Sequence, residues 1–110
     1  MATVYKVLGQ AAPADTNNAN LYTVGAGKSA VISTLHIANT TASSATCRVF
    51  IRVAGAAAAT ANSIVYDGVV LPNDFKALTE GFTLAATDVI TVQSGTASAL
   101  TFQLFGSEIA

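Results

Sequence analysis

The sequence predicts an all-β chain, an antiparallel β-sandwich of about eight strands, jelly-roll-like in build. Three observations carry that prediction. Apolar residues alternate with Thr, Ser and Arg at period two over short runs, Pro-, Gly-, Asn- and Asp-bearing turns separate the runs, and no segment shows a helical period. At 110 residues the chain makes a single sandwich domain, 1–110, long enough to bury a core without metals or disulfides.

The first strand is expected at Thr3 to Gly9, on the β-formers Val4, Tyr5, Val7 and Leu8. A loop from Gln10 to Asn20 follows, rich in the turn residues Pro13, Asp15, Asn17, Asn18 and Asn20. Leu21 to Val24 is a short strand closed by Gly25-Ala26-Gly27. Ser29 to Asn39 is a long strand, with Val31, Ser33, Leu35 and Ile37 on one face and Ile32, Thr34 and His36 on the other. After a polar turn, Ala45 to Ala54 alternates most cleanly. Cys47, Val49, Ile51 and Val53 point to the core, and Thr46, Arg48, Phe50 and Arg52 to water.

Gly55 to Asn62 carries a run of alanines but is too short and poorly capped to hold a helix, and reads as a loop. Ser63 to Leu71 is the fifth strand, closed by Pro72-Asn73-Asp74. Phe75 to Thr83 is the sixth, with Gly81 as a bulge or close-approach point. Leu84 to Asp88 turns into Val89 to Ser94, and Gly95 to Ser98 turns into the last strand, Ala99 to Phe105. Both terminal strands are strongly β-forming, and at least one is expected to be ordered. The long polar loop after the first would let that strand reach a neighbouring subunit.

Composition narrows the function classes. Only 10% of residues are charged, 52% are hydrophobic, and there is one His, one Cys and no Trp. Catalysis needs clusters of tunable ionisable groups, which this chain is poorly supplied to build, so no enzyme activity and no cofactor is expected. The five basic and six acidic residues are scattered singly, leaving no phosphate-neutralising patch for nucleic acid. No charged start followed by an apolar run suggests a leader, and no stretch approaches a membrane span, so no membrane partner is expected and synthesis in a cytoplasm is. Sparse charge leaves a surface that is easily desolvated, which suits a subunit of an assembly and a homo-oligomer.

Several segments resemble small virion proteins encoded by tailed bacteriophages. They are Leu21-Tyr22-Thr23-Val24-Gly25-Ala26-Gly27-Lys28 running on through Val31-Ile32-Ser33-Thr34 to Ala38-Asn39, then Tyr66-Asp67-Gly68, Leu71-Pro72-Asn73-Asp74, Thr83 through Val92, and Phe105-Gly106-Ser107-Glu108-Ile109. They cover most of the chain in order. Where that pattern has a proline after the first short strand, Gly25 stands here. The resemblance implies a non-enzymatic structural component of the virion. Decoration or cementing of the head shell, against the major capsid protein, is the expected role; a tail, neck or fibre-associated β-module is the alternative. A host-glycan-binding module, reading sugars through loop-borne Asn, Asp and aromatic side chains, is a third reading.

Individual residues with chemical potential have ordinary explanations beside them. His36 and Cys47 fall short of a zinc ligand set, and no orienting group makes them a nucleophile and base, so no metal or catalytic residue is expected. Asp67, Asp74 and Asp88 lie at or near turns, where Asp bonds backbone. Gly25-Ala26-Gly27-Lys28 precedes a strand rather than a helix and is no phosphate loop. Arg48, Phe50 and Arg52 form an Arg-aromatic stripe that either anchors a protein partner or has Phe50 covered by a local loop with the Arg stems beside it.

Overall fold

The computed structural model describes residues 2–110. Its nine strands, in chain order, are β1 (Thr3–Ala11), β2 (Ala19–Thr23), β3 (Ser29–Asn39), β4 (Ala45–Arg52), β5 (Ser63–Val70), β6 (Phe75–Leu78), β7 (Phe82–Leu84), β8 (Val89–Ser94) and β9 (Leu100–Ile109). No helix among the described residues is long and apolar enough to cross a membrane.

Two antiparallel sheets face each other. One has the order β1-β9-β3-β6 with β7 also paired to β3, and the other β2-β8-β4-β5. Because β6 and β7 pair with successive parts of β3, they act as one interrupted strand. The winding is then that of an eight-stranded jelly roll. The expected sandwich is therefore present, and the additional strand comes from one break. Gly81 sits at φ 76 with open space where a Cβ would stand, so a left-handed turn interrupts the strand here, rather than a close approach.

The core is made by inward rows from both sheets, including Ile32, Leu35, Ile37, Val49, Ile90, Val92, Leu100, Phe102 and Leu104, each 1% exposed or less. Cys47 lies among them at 1% exposure, as its alternation with Val49 predicts, and burial pushes its thiol pKa up. It is expected to resist thiol reagents in the native protein and to react fully in denaturant. Rapid labelling of the folded chain would mean that β4 presents its other face.

Several boundaries and faces differ from expectation for physical reasons. The alternation in β3 is reset by a bulge between Ile32 and Thr34, so Ile32 and Leu35 both face inward while Val31 is 39% exposed. Strand β4 ends at Arg52, and a 3-10 turn over Val53–Gly55, with Ala54 at φ 52, carries Val53 out to 65% exposure rather than into the core. The last strand continues through Gly106 to Ile109, because this stretch pairs with β1 on one side and β3 on the other. The first strand is ordered and longer than expected. It pairs with β9 over Thr3–Ala11 as the edge strand of its own sheet.

The loops gather at the two ends of the sandwich and are tied to one another. At one end, Val24 N–H donates to Asp88 O and Thr87 N–H to Val24 O, both at 3.0 Å. The 7%-exposed Asp88 carboxylate accepts from Ala85 N–H and Ala54 N–H, each 2.9 Å, so its turn role extends to holding the chain after β4. At the other end, buried Asn39 satisfies its whole amide. Its Nδ2 donates to Ser43 O and Val70 O, and its Oδ1 accepts from Thr41 N–H and Thr41 Oγ1. Pro72 and Asn73, the latter at φ 53, fill the middle of a turn closed by Asp74 N–H to Leu71 O, in the pattern of a type II turn.

Candidate functional site

The Arg-aromatic stripe lies on the outer face of β4, and its three residues have different fates. Arg48 donates from Nε to Asp67 Oδ1 at 2.7 Å and from Nη2 to Asp67 Oδ2 at 3.2 Å, a two-pronged pair, while its guanidinium lies 4.0 Å over the Tyr66 ring. That hydrogen bond holds the Asp67 carboxyl below the usual range. Arg52 is spent on structure: its Nε donates to Ala56 O, its Nη2 to Gly55 O, and its Nη1 to Asn20 Oδ1 and Thr91 Oγ1. Phe50 is only 4% exposed.

The chain between β4 and β5 covers that ring. Ala58, Ala59 and Thr60 join Phe50, Arg48, Tyr66, Asn18 and Gln93 around a hollow of about 300 Å³. Of the two explanations for the stripe, the covering loop describes Phe50, and Arg48 with Tyr66 keeps an outward surface.

Other singled-out residues do not converge. His36 stacks its ring on Phe75, 4.9 Å between centroids, on the outer side of β3, whereas Cys47 faces the core from the opposite sheet. Among the described residues no three of His, Cys, Asp and Glu come together as a metal group would. Asp74 accepts from the N–H of Phe75 at 2.8 Å, and Asp67 belongs to Arg48.

A cluster that the sequence reading did not assemble closes the sandwich at the edge where β1 and β2 meet. Glu108, its side chain 15% exposed, accepts from the Tyr22 hydroxyl at 2.5 Å and pairs with Lys6 at 3.2 Å and Lys28 at 3.7 Å. The Tyr22 bond and then the Lys6 bond hold the Glu108 carboxyl below its ordinary range, while burial first and Glu108 second push the Tyr22 hydroxyl upward and keep it a donor.

The sign of the linkage follows from that direction. A carboxyl whose folded pKa lies below its unfolded one stabilises fully above the unfolded value, about 4.3, and loses this contribution as pH falls through the folded value. Glu108→Gln is therefore expected to be less stable than wild type at neutral pH, with the gap closing as pH drops below about 4. Denaturant melts across that range check it, and a gap independent of pH would show that Glu108 acts by packing alone.

The broadest unassigned feature is the outer face of β1-β9-β3-β6/β7. Across the pairing register its rows read Thr3, Ile109, Ser29; then Tyr5, Ser107, Val31, Thr83; then Val7, Phe105, Thr34; then Gln10, Gln103, His36, Ala77; then Thr101, Ala38, Phe75. None is Asp, Glu, Lys or Arg. Tyr5 is 83% exposed and Phe75 59%, with Val7 and Val31 partly open. The signal was present in the alternation of each strand, but which outward residues become neighbours depends on strand order. The opposite sheet differs, since it carries Arg48, Arg52 and Asp67 and is partly roofed by its own loop.

No protein-family model and no curated protein matches this chain. A jelly-roll sandwich hosts many unrelated roles, so function must be argued from these surfaces.

Proposed function

We propose that this chain is a structural protein of a tailed-phage virion that works by surface contact, decorating or cementing the head shell beside the major capsid protein. The observation that carries the contact reading is the outer face of β1-β9-β3-β6/β7, a broad surface whose outward rows hold no formal charge to be desolvated. The phage setting comes from the resemblance of Leu21–Asn39, Thr83–Val92 and Phe105–Ile109 to small virion proteins. Bridging between shell subunits by surface contact adds buried area across seams that must resist the pressure of packaged DNA.

Mass spectrometry of purified particles tests the reading. A copy number comparable with that of the shell protein supports head decoration, and a handful of copies moves the protein to the tail, neck or fibre. Absence from the particle overturns the virion assignment.

The hollow bounded by Asn18, Arg48, Tyr66 and Gln93 favours one second reading, host-glycan binding, because it sets the Asn18 amide beside an aromatic residue, while Gln93 Nε2 is given to Thr16 O and Arg48 Nε and Nη2 to Asp67. A glycan-array hit abolished by Tyr66→Ala would support it, and an array without hits removes it.

A further inference from the structure

We infer that the outer face of β1-β9-β3-β6/β7 is the self-association surface of this protein, and that its occupant is the same face of a second copy, packed about a two-fold axis with Tyr5 of each chain seated in a hollow of the other. This rests on the contact reading above and commits it to a face, a partner and an anchor residue.

Shape makes the face self-complementary. A hollow of about 400 Å³ is lined by Tyr5, Lys6, Val31, Ser33, Phe105 and Gly106, and the Tyr5 ring, 83% exposed, stands at its rim. A projecting ring beside an apolar depression on one surface is what an isologous contact needs, since each copy then supplies the knob for the other's hole. Tyrosine suits the task, being large and stiff with a hydroxyl that can find a partner once buried.

Charge permits the meeting. The chain carries a formal net charge of -1, and no Asp, Glu, Lys or Arg lies in the outward rows, so two copies approach through this face without opposing like charges. Lys6 contributes to the hollow from the edge strand, but its ammonium is directed to Glu108, 3.2 Å away, at the opening between the sheets.

Area is adequate. Strand rise and spacing give the face roughly 600 Å² in projection before side-chain relief. A standard interface takes roughly 800 Å² from each partner. The remaining rows supply what such a contact needs around its centre: Phe75 stacked on His36 toward one end, and Gln10 bonded to Gln103 between. The opposite sheet is a poorer candidate, because its centre is already covered by the loop over Phe50.

Sedimentation equilibrium of the full-length protein tests this directly. Wild type is expected to be a reversible dimer. Tyr5→Lys and Val31→Lys should each weaken it by about 100-fold or more, since the two-fold axis would bury the new ammonium twice. Val69→Lys, at a 52%-exposed valine on the opposite sheet, should leave the dimer intact. Circular dichroism and melting of each variant check folding, and Tyr5 is exposed enough that its replacement leaves the core alone. A wild-type monomer at millimolar concentration, a dimer that survives Tyr5→Lys, or one lost only in Val69→Lys overturns the inference. Failure here leaves the particle experiment free to succeed, and a protein absent from particles can still dimerise, so the two ideas are separable.

Discussion

Phe102→Ala should lower the stability of the folded chain by about 3–5 kcal/mol, the range measured when large buried aromatics are truncated. The ring is 0% exposed on β9, whose neighbours β1 and β3 pair with it at Ala11 and Ile37. It therefore sits under a strand flanked on both sides, where collapse around the cavity is restricted. A domain of this kind has about 5–15 kcal/mol in all, so the variant should be close to unfolding at 37 °C. Urea melts should show a large drop in midpoint with little change in slope. Phe105→Ala, three residues along the same strand but facing outward, is expected to cost far less and to weaken self-association instead. If the two variants lost similar stability, the inward row of β9 would have to be reassigned.

That pair of phenylalanines shows what the sequence makes legible. Ser29–Asn39 and Val89–Ser94 have the boundaries their turn residues predict, because a strand bounded by Gly, Asn or Asp clusters is specified locally. The inward placement of Cys47 and Val49 follows equally from period two. Faces go astray where a bulge inserts a residue, as at Ser33, for the alternation then changes phase without any change in composition. Phe50 and Arg52 were legible as a stripe, with a local loop over Phe50 as one of its two readings, but the way Arg52 ties that loop down was not. Those contacts involve carbonyls of Gly55 and Ala56, which carry no side-chain signature. The uncharged outer face was the least visible of all, because it arises from non-consecutive strands β1, β9 and β3 lying side by side.

Gly106→Ala is the second change expected to be severe, with a loss of about 3 kcal/mol, the upper end for overpacking a close-packed site. A Cβ built there would stand 2.1 Å from Val31 O and 3.0 Å from Ile32 Cα, which are backbone atoms and cannot rotate aside. Relief would require β9 to move away from β3, yet β9 is held by β1 on its other side, so the displacement must break one ladder or strain both. The clash falls beside the Ser33 bulge, where β3 makes its extra residue fit against β9, so the absent side chain at 106 allows β3 to change phase while staying paired. Gly81→Ala provides the contrast. Nothing lies within 4 Å of its Cβ position, and only its φ of 76 opposes a side chain, at about 1–2 kcal/mol. Gly106→Ala should therefore lose more stability than Gly81→Ala in parallel urea melts, and it alone should weaken the dimer, since Gly106 also lines the hollow that receives Tyr5. Equal losses in the two variants would mean that β9 and β3 are less tightly apposed at the bulge than the geometry requires, and the hollow would lose its fixed shape with them.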